Sequence, residues 1–315
     1  MSFFGGGSDI PEFYNQNEGL CISTTINSYI YITLNKCVAD HLKVIYSELE
    51  LEYDVEKIKH DRVREALKFF EINSNMEMCS FSDVNTKGTG LGSSSTFTVG
   101  LINALYKAIN HKTMDRKELA ELACYIEINK CSEPIGKQDQ YAAAYGGLNA
   151  IYFNGNDVRV KPLKIAQSTL YDLQHSLMLF DTGFVRKTSD ILGQQVTDLK
   201  DGKNDITKSL VEMAKESVKL LERNKLDDFG NLLDASWVLK RTLSGGVSNC
   251  SIDSMYELAL DGGALGGKIL GAGGGGYLLV YCPEKCRNRL VERMKGYQRL
   301  PFKFSTEGSS IELVT

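Results

Sequence analysis

The chain has 315 residues, 43% hydrophobic and 24% charged, which gives an ordinary globular protein enough apolar material for one large or two ordinary domains. Its net charge of −4, from 36 Lys and Arg against 40 Asp and Glu with no dense basic block, excludes the concentrated positive surface that a nucleic-acid partner requires. There is no apolar run long enough to span a bilayer and no basic-then-apolar leader, so the expectations are no membrane partner, no Sec-type export and a cytoplasmic location.

Met1-Ser-Phe-Phe4 runs directly into the turn Gly5-Gly6-Gly7-Ser8-Asp9, as though a strand were cut short before it. Alternating and β-branched residues predict strands over Leu20–Thr25 and Ser28–Leu34, read as a pair. A helix over 57–71 follows from Ile58, Val63, Ala66, Leu67 and Phe70 at three- and four-residue spacing. A polar strand over Glu77–Ser82 leads into Gly88-Thr-Gly-Leu-Gly-Ser-Ser-Ser95, and from Thr96 a helix carries Val99, Ile102, Leu105, Tyr106 and Ile109 on one side. The next helix starts near Asp115, with Glu118 placed for a capping box. Gly136-Lys-Gln-Asp-Gln-Tyr141 opens an alanine-rich helix that stops at Gly146-Gly147. A hairpin over Leu148–Phe153 and Val158–Leu163 then turns on Asn154-Gly155-Asn156.

From His175 the pattern changes. A strand over Ser176–Phe180 precedes helices over 187–197, 205–223, 225–243 and 252–261, then the loop Gly271-Ala-Gly-Gly-Gly-Gly276 and strand Tyr277–Tyr281. A helix from Pro283 and strands near 302–305 and 310–314 close the chain. Interleaved strands and helices predict an α+β fold, divided into domains at 1–165 and 166–315. The eight cysteines form no C-x-x-C and read as reduced, buried small hydrophobes. His41, His60, His111 and His175 show no ligand spacing with them, so no structural zinc is expected.

Gly88–Ser95 carries the most chemistry. Glycines permit positive φ and close backbone approach, and the helix that follows offers free N–H groups and a positive dipole end to a phosphate chain. The segment is not a P-loop, because no lysine follows its last glycine. It is a poor dinucleotide fingerprint too: the spacing is G-x-G-x-G, the strand before it is polar, and no acidic residue closes a second strand. Gly271–Gly276 holds five glycines in six positions, a costly arrangement to order unless some close backbone approach demands it.

Gly88–Ser95, Gly136–Tyr141 and Gly266–Gly276 stand in the order and near the spacing of the three motifs of the GHMP kinases, the group that includes galactokinases, homoserine kinases and mevalonate kinases. The resemblance spans essentially the whole chain. Ser2–Pro11, Arg186–Leu192, Trp237–Ser244 and Gly262–Gly276 are most similar to the heptose 7-phosphate kinases within that family. It implies an N-terminal domain like the second domain of ribosomal protein S5 and a ferredoxin-like C-terminal domain. The implied reaction transfers the γ-phosphate of ATP, with Mg²⁺, to the anomeric hydroxyl of D-glycero-D-manno-heptose 7-phosphate, in nucleotide-heptose synthesis for surface polysaccharide. Fucose, galactose or mevalonate as acceptor, or an inactive sugar-sensing relative, are the alternatives, and a monomer or homodimer is expected.

By position in the motifs, the resemblance gives Asp139 the catalytic role, where an aspartate at a helix start is ordinarily a dipole-favoured surface carboxylate. It places nucleotide on Gly88, Gly90, Leu91, Gly92, Ser93, Ser94 and Ser95, and Mg²⁺ on Glu127 and Ser94, with Ser93 and Ser95 competing for the hydroxyl's place, a carboxylate-plus-hydroxyl set suited to a hard cation. Asp9 would hold sugar hydroxyls, Gly6, Gly7, Ser8, Ser189, Gly273 and Gly274 would also bind substrate, and Arg186 and Lys187 could bind the substrate phosphate by charge at a helix start. Lys240 and Arg241 are weaker candidates for that duty. The resemblance also implies a strand with a basic residue ahead of the Ser2-Phe-Phe-Gly-Gly-Gly turn, for which the chain begins too late.

Overall fold

The computed structural model describes residues 1–84, 88–155, 157–185, 193–194, 196–197, 199, 204–243 and 246–312. In chain order, β1 (Ser2–Phe4), α1 (Pro11–Tyr14) and β2 (Gly19–Ile26) are followed by β3 (Ile30–Lys36), β4 (Leu42–Ile45) and β5 (Leu49–Glu52). Then come α2 (Asp61–Phe69), β6 (Met76–Ser82), α3 (Ser93–Asn110), α4 (Arg116–Cys124) and a π-helical turn over Tyr125–Lys130. The first half closes with α5 (Gln138–Tyr145), β7 (Leu148–Asn154) and β8 (Asp157–Pro162). The second half comprises α6 (Gln167–Ser176), β9 (Leu177–Asp181), α7 (Asp205–Glu222), α8 (Leu226–Arg241) and α9 (Cys250–Asp261). It ends with β10 (Gly266–Ile269), β11 (Tyr277–Tyr281), α10 (Arg287–Arg293), β12 (Arg299–Leu300) and β13 (Phe304–Ser305).

β2 organises the molecule. Residues Gly19–Thr24 are all buried, as in a strand covered on both faces, and the period of two sorts its side chains between two cores. Leu20 and Ile22 pack with Phe3, Phe4, Phe229 and Leu233, whereas Cys21 faces Val99, Tyr141 and Ile151. β7 repeats the pattern, with Ala150 on the first side and Ile151 and Phe153 on the second. Helices α3, α4 and α5 therefore cover one face of the antiparallel sheet β1-β2-β7-β8, and α7 and α8 cover the other. β13 joins the same sheet beside β2, pairing Phe304 with Ile26 and Ser305 with Thr25, and Thr25 Oγ1 donates to Ser305 O at 2.8 Å.

The second-half sheet runs β10-β11-β9-β12, antiparallel throughout. Alternation along β9 puts Leu177 and Leu179 into the core shared with β1 and β2, and Met178 and Phe180 into a separate core with Trp237, Ile252 and Leu278. The two halves thus share apolar packing rather than meeting through a polar seam.

Several expectations are corrected here. The strands predicted as a pair, now β2 and β3, belong to different sheets: β3 pairs β6, in a sheet ordered β3-β6-β4-β5. Asn27 explains the switch, because its N–H donates to Lys303 O at 2.9 Å and its side chain accepts from Lys303 N at 2.6 Å, which holds the chain on the β13 side. The short strands β4 and β5 and helix α6 are additional. Ser2–Phe4 does form a strand on β2, so that edge is occupied. No strand forms over 310–312; Ser309 N instead donates to Ala143 O at the end of α5. Most of the helix expected over 187–197 lies outside the described residues.

Candidate active site

A cleft of about 440 Å³ opens where the β1–α1 turn, the loop before α3, the start of α5, the end of α8 and the β10–β11 loop converge. Its floor is the start of α3. Gly92 precedes that helix with φ 72°, in the left-handed region where a side chain is strained, and no side chain caps the helix. The N–H groups of the first turn therefore face the cleft with their dipole unanswered, a ready seat for phosphate. Gly88, Gly90, Gly92, Ser93, Ser94 and Ser95 all line the cleft, and Ser94 is the exposed one of the three serines. Leu91 packs toward the core beside β2.

The second glycine loop holds the first in place. A β-carbon on Gly90 would lie 2.3 Å from Leu270 O, and Tyr277 N donates to Thr89 O at 3.1 Å. Only Gly271 and Ala272 of that loop reach the cleft among the described residues. Gly273 and Gly274 are turned onto Val247, whose carbonyl accepts from Gly274 N at 2.8 Å.

Asp139 sits in the first turn of α5, close enough to the cradle that a methyl group at Gly92 would meet its Cγ at 3.0 Å. Burial pushes its carboxyl up to about 6; the Met1 ammonium and Lys240 oppose the shift, while Asp9 and Glu127 reinforce it. Asp9 lines the same cleft. Its Oδ1 accepts from Gly7 N at 3.0 Å and its Oδ2 from Gln138 N at 3.1 Å, and burial raises its pKa against those hydrogen bonds. Gly6 and Gly7 reach the cleft, whereas Ser8 turns inward, accepting from Leu20 N at 3.0 Å and donating to Gly5 O at 2.7 Å.

Glu127, itself fully buried, projects from the π-helical turn into a nest of donors. Such turns insert one residue into a helix and recur at functional sites. Oε1 accepts from Arg62 Nε and Thr98 Oγ1, each at 2.8 Å; Oε2 accepts from Ser95 Oγ at 2.8 Å and from Gln140 Nε2. The serine bonded to Glu127 is thus Ser95, which competes with Ser94 and Ser93 as the hydroxyl partner of the metal. A buried carboxylate and serine hydroxyls beside an uncapped helix start form a donor set that fits Mg²⁺. Glu127→Ala is expected to lower the unfolding free energy by about 2–5 kcal/mol, because it leaves the buried Thr98, Ser95 and Gln140 donors without their acceptor. Glu56→Ala, which breaks an ion pair to Lys68 on a side chain 61% exposed, is expected to leave the unfolding midpoint nearly unchanged. Urea unfolding of the two variants checks the contrast.

Arg62 and Glu133 line the cleft and have no signal in the sequence, since each is an isolated charge without a motif; Lys268 stands inside the Gly266–Gly276 motif, where the glycines drew the reading. Lys240 Nζ donates to Gly271 O at 2.6 Å on the cleft wall, and burial lowers its pKa to about 8. Lys268, in β10, donates to Phe3 O at 2.8 Å, and burial holds its ammonium well below the ordinary lysine value. Arg241 turns away to Asp253 at 3.1 Å. Arg186, Lys187 and Ser189 lie outside the described residues. Cys37, His41 and Glu77 depart from the expected absence of ligand spacing, with ligand atoms within 4.8 Å of one another; none of them lines the cleft, and Lys43 also reaches Glu77 at 3.7 Å. Of the cysteines, Cys21, Cys124 and Cys282 are buried and Cys250 is exposed.

The chain matches the GHMP kinases N terminal domain over residues 51–147 and the GHMP kinases C terminal domain over residues 217–297. It is 32% identical to the D-glycero-alpha-D-manno-heptose 7-phosphate kinase of Campylobacter jejuni, across 98% of this chain and 95% of that protein. Its structure is similar to that of a D-glycero-D-manno-heptose 1-phosphate kinase from Bacteroides thetaiotaomicron, with a TM-score of 0.80 and 21% identity over 98% of this chain and 94% of that one. Streptococcus pneumoniae phosphomevalonate kinase has the same fold, with a TM-score of 0.78 and 15% identity over 96% and 97% of the two chains. With a glycine cradle at a helix start, an aspartate set against it and both domains matched in order, the chain belongs to the GHMP kinase family of ATP-dependent phosphotransferases.

Proposed function

We propose that the protein phosphorylates the anomeric hydroxyl of D-glycero-D-manno-heptose 7-phosphate, using ATP and giving the 1,7-bisphosphate. The observation that carries this reading is the placement of Asp139 and Asp9 in one cleft, with Asp139 against the cradle at Gly92. The polyphosphate lies on the N–H groups of α3, which puts its terminal phosphorus within reach of a hydroxyl held beside Asp139. Asp139 takes that hydroxyl's proton as the oxygen attacks phosphorus and ADP leaves in line. Asp9 has its oxygens fixed by Gly7 and Gln138, so it accepts hydrogen bonds from sugar hydroxyls without having to reorganise. Mg²⁺ on Glu127 and a serine hydroxyl of the cradle would neutralise charge on the phosphate oxygens.

The choice of sugar rests on the Campylobacter jejuni relative and on Arg186 and Lys187 as the seat of the 7-phosphate. The test is ADP release from ATP across heptose 7-phosphate, mannose 6-phosphate, fucose, galactose and mevalonate. Turnover confined to heptose 7-phosphate is expected. Turnover with fucose, galactose or mevalonate in its place would keep the kinase and remove the proposed acceptor.

A further inference from the structure

The two oxygens of Glu127 accept from Arg62, Thr98, Ser95 and Gln140, which uses the lone-pair capacity of a carboxylate. A divalent cation can sit on it only if one donor leaves. Thr98 and Ser95 are buried within α3 and Gln140 is buried within α5; Thr98 Oγ1 can fall back on Ser94 O at 3.2 Å, but a neutral hydroxyl does not repel an arriving cation. Arg62 differs in each respect. It reaches in from the start of α2, its side chain is 18% exposed, and it lines the cleft. Its second nitrogen already holds another carboxylate, Glu133 Oε1 at 2.6 Å, which also lines the cleft and is 29% exposed.

A guanidinium and a divalent cation on one carboxylate oxygen repel each other, so they are alternative occupants of Glu127 Oε1. Arg62 is able to release that oxygen without losing its own charge partner, because Glu133 keeps it paired. We propose that Arg62 is the resident cation of the Glu127 seat and gives it up to the divalent ion that arrives with nucleotide, pivoting on Glu133 as it does so. The seat is thereby closed to bare metal and opened by phosphate charge, and the displaced guanidinium remains in the cleft that receives the polyphosphate. This exchange rests on the proposal that Glu127 takes the metal.

The test uses Mn²⁺ alone, without nucleotide, followed by electron paramagnetic resonance of the free ion. Arg62→Gln is expected to bind Mn²⁺ at least tenfold more tightly than the unmodified protein, and Mn²⁺ is expected to raise its melting temperature while leaving the unmodified protein's unchanged. A merely structural Arg62 would lower the melting temperature without creating this Mn²⁺ dependence. Arg62→Lys, a point charge that cannot fork across both carboxylates, is expected to fall between the two, and it carries the test if Arg62→Gln does not fold. Equal Mn²⁺ affinity in the variants and the unmodified protein, with Glu127→Gln weakening Mn²⁺·ADP binding, would overturn the exchange and leave the metal seat standing. Mn²⁺·ADP binding unchanged by Glu127→Gln would remove the seat itself and the exchange with it.

Discussion

Asp139→Asn is expected to lower kcat by about two to four orders of magnitude, the range for loss of a positioned general base. ATP affinity should change little, since the cradle is built from backbone N–H groups. The pH dependence carries the same assignment. With its carboxyl pushed up to about 6, Asp139 is protonated in acid and cannot accept a proton, so kcat/KM is expected to rise as pH passes about 6. Lys240, lowered to about 8, loses the charge that faces Asp9 and Asp139 above that value, so an alkaline fall is expected there. Lys240→Met should abolish the alkaline limb and keep the acid one. Stability should move the opposite way to activity in Asp139→Asn. A carboxyl whose folded pKa is raised stabilises the fold below its unfolded value, and that contribution is lost as pH rises through about 6. At pH 7.5 the ionised carboxylate is therefore a cost, and asparagine should recover on the order of 1–2 kcal/mol, a gain that shrinks by pH 5. Urea unfolding at the two pH values reads this directly.

Gly136→Ala is expected to reduce kcat/KM about a hundredfold or more and to destabilise the fold by about 1–3 kcal/mol. The added methyl would meet Asp9 Oδ2 at 1.9 Å and Cγ at 2.3 Å. Asp9 is short, buried and bonded to Gly7 N and Gln138 N, so it cannot step aside without breaking the contacts that aim it. The three nearest atoms all belong to the side chain of Asp9. Adding Asp9→Ala, which removes those three atoms, should recover melting temperature lost to the clash and leave turnover lost. If the double variant stayed as unstable as Gly136→Ala, some other contact would have to be responsible.

The sequence was most legible where backbone chemistry writes a local signature. The cradle before α3, the α5 start with Asp139, and strands β6 and β11 all lie within a residue or a few of expectation, because glycine clusters and apolar periods mark them. Strands β4 and β5 escaped notice because four residues such as Leu42–Ile45 and Leu49–Glu52 are too few to show a period. β2 and β3 looked like a hairpin because adjacency in sequence is the commonest cue, and the bond between Asn27 and Lys303 that separates them is remote. Arg62 was invisible for a related reason: a charged residue in the first turn of an amphipathic helix is ordinarily solvated, and only the fold brings Glu127 and Glu133 to its two nitrogens. Nothing in Tyr125–Lys130 marks the extra residue of the π-helical turn.

The bond between Thr25 and Ser305 crosses 280 residues of chain. At a synthesis rate of roughly 5–20 residues per second, β2 leaves the ribosome on the order of 15–60 seconds before the strand that completes its β1-side edge. Through that interval part of a central strand stands open to any other extended segment nearby, the circumstance in which strand edges recruit the wrong neighbour. Slower elongation over the second half of the message would lengthen that exposure, so the yield of folded protein should depend on codon choice far downstream of the cleft.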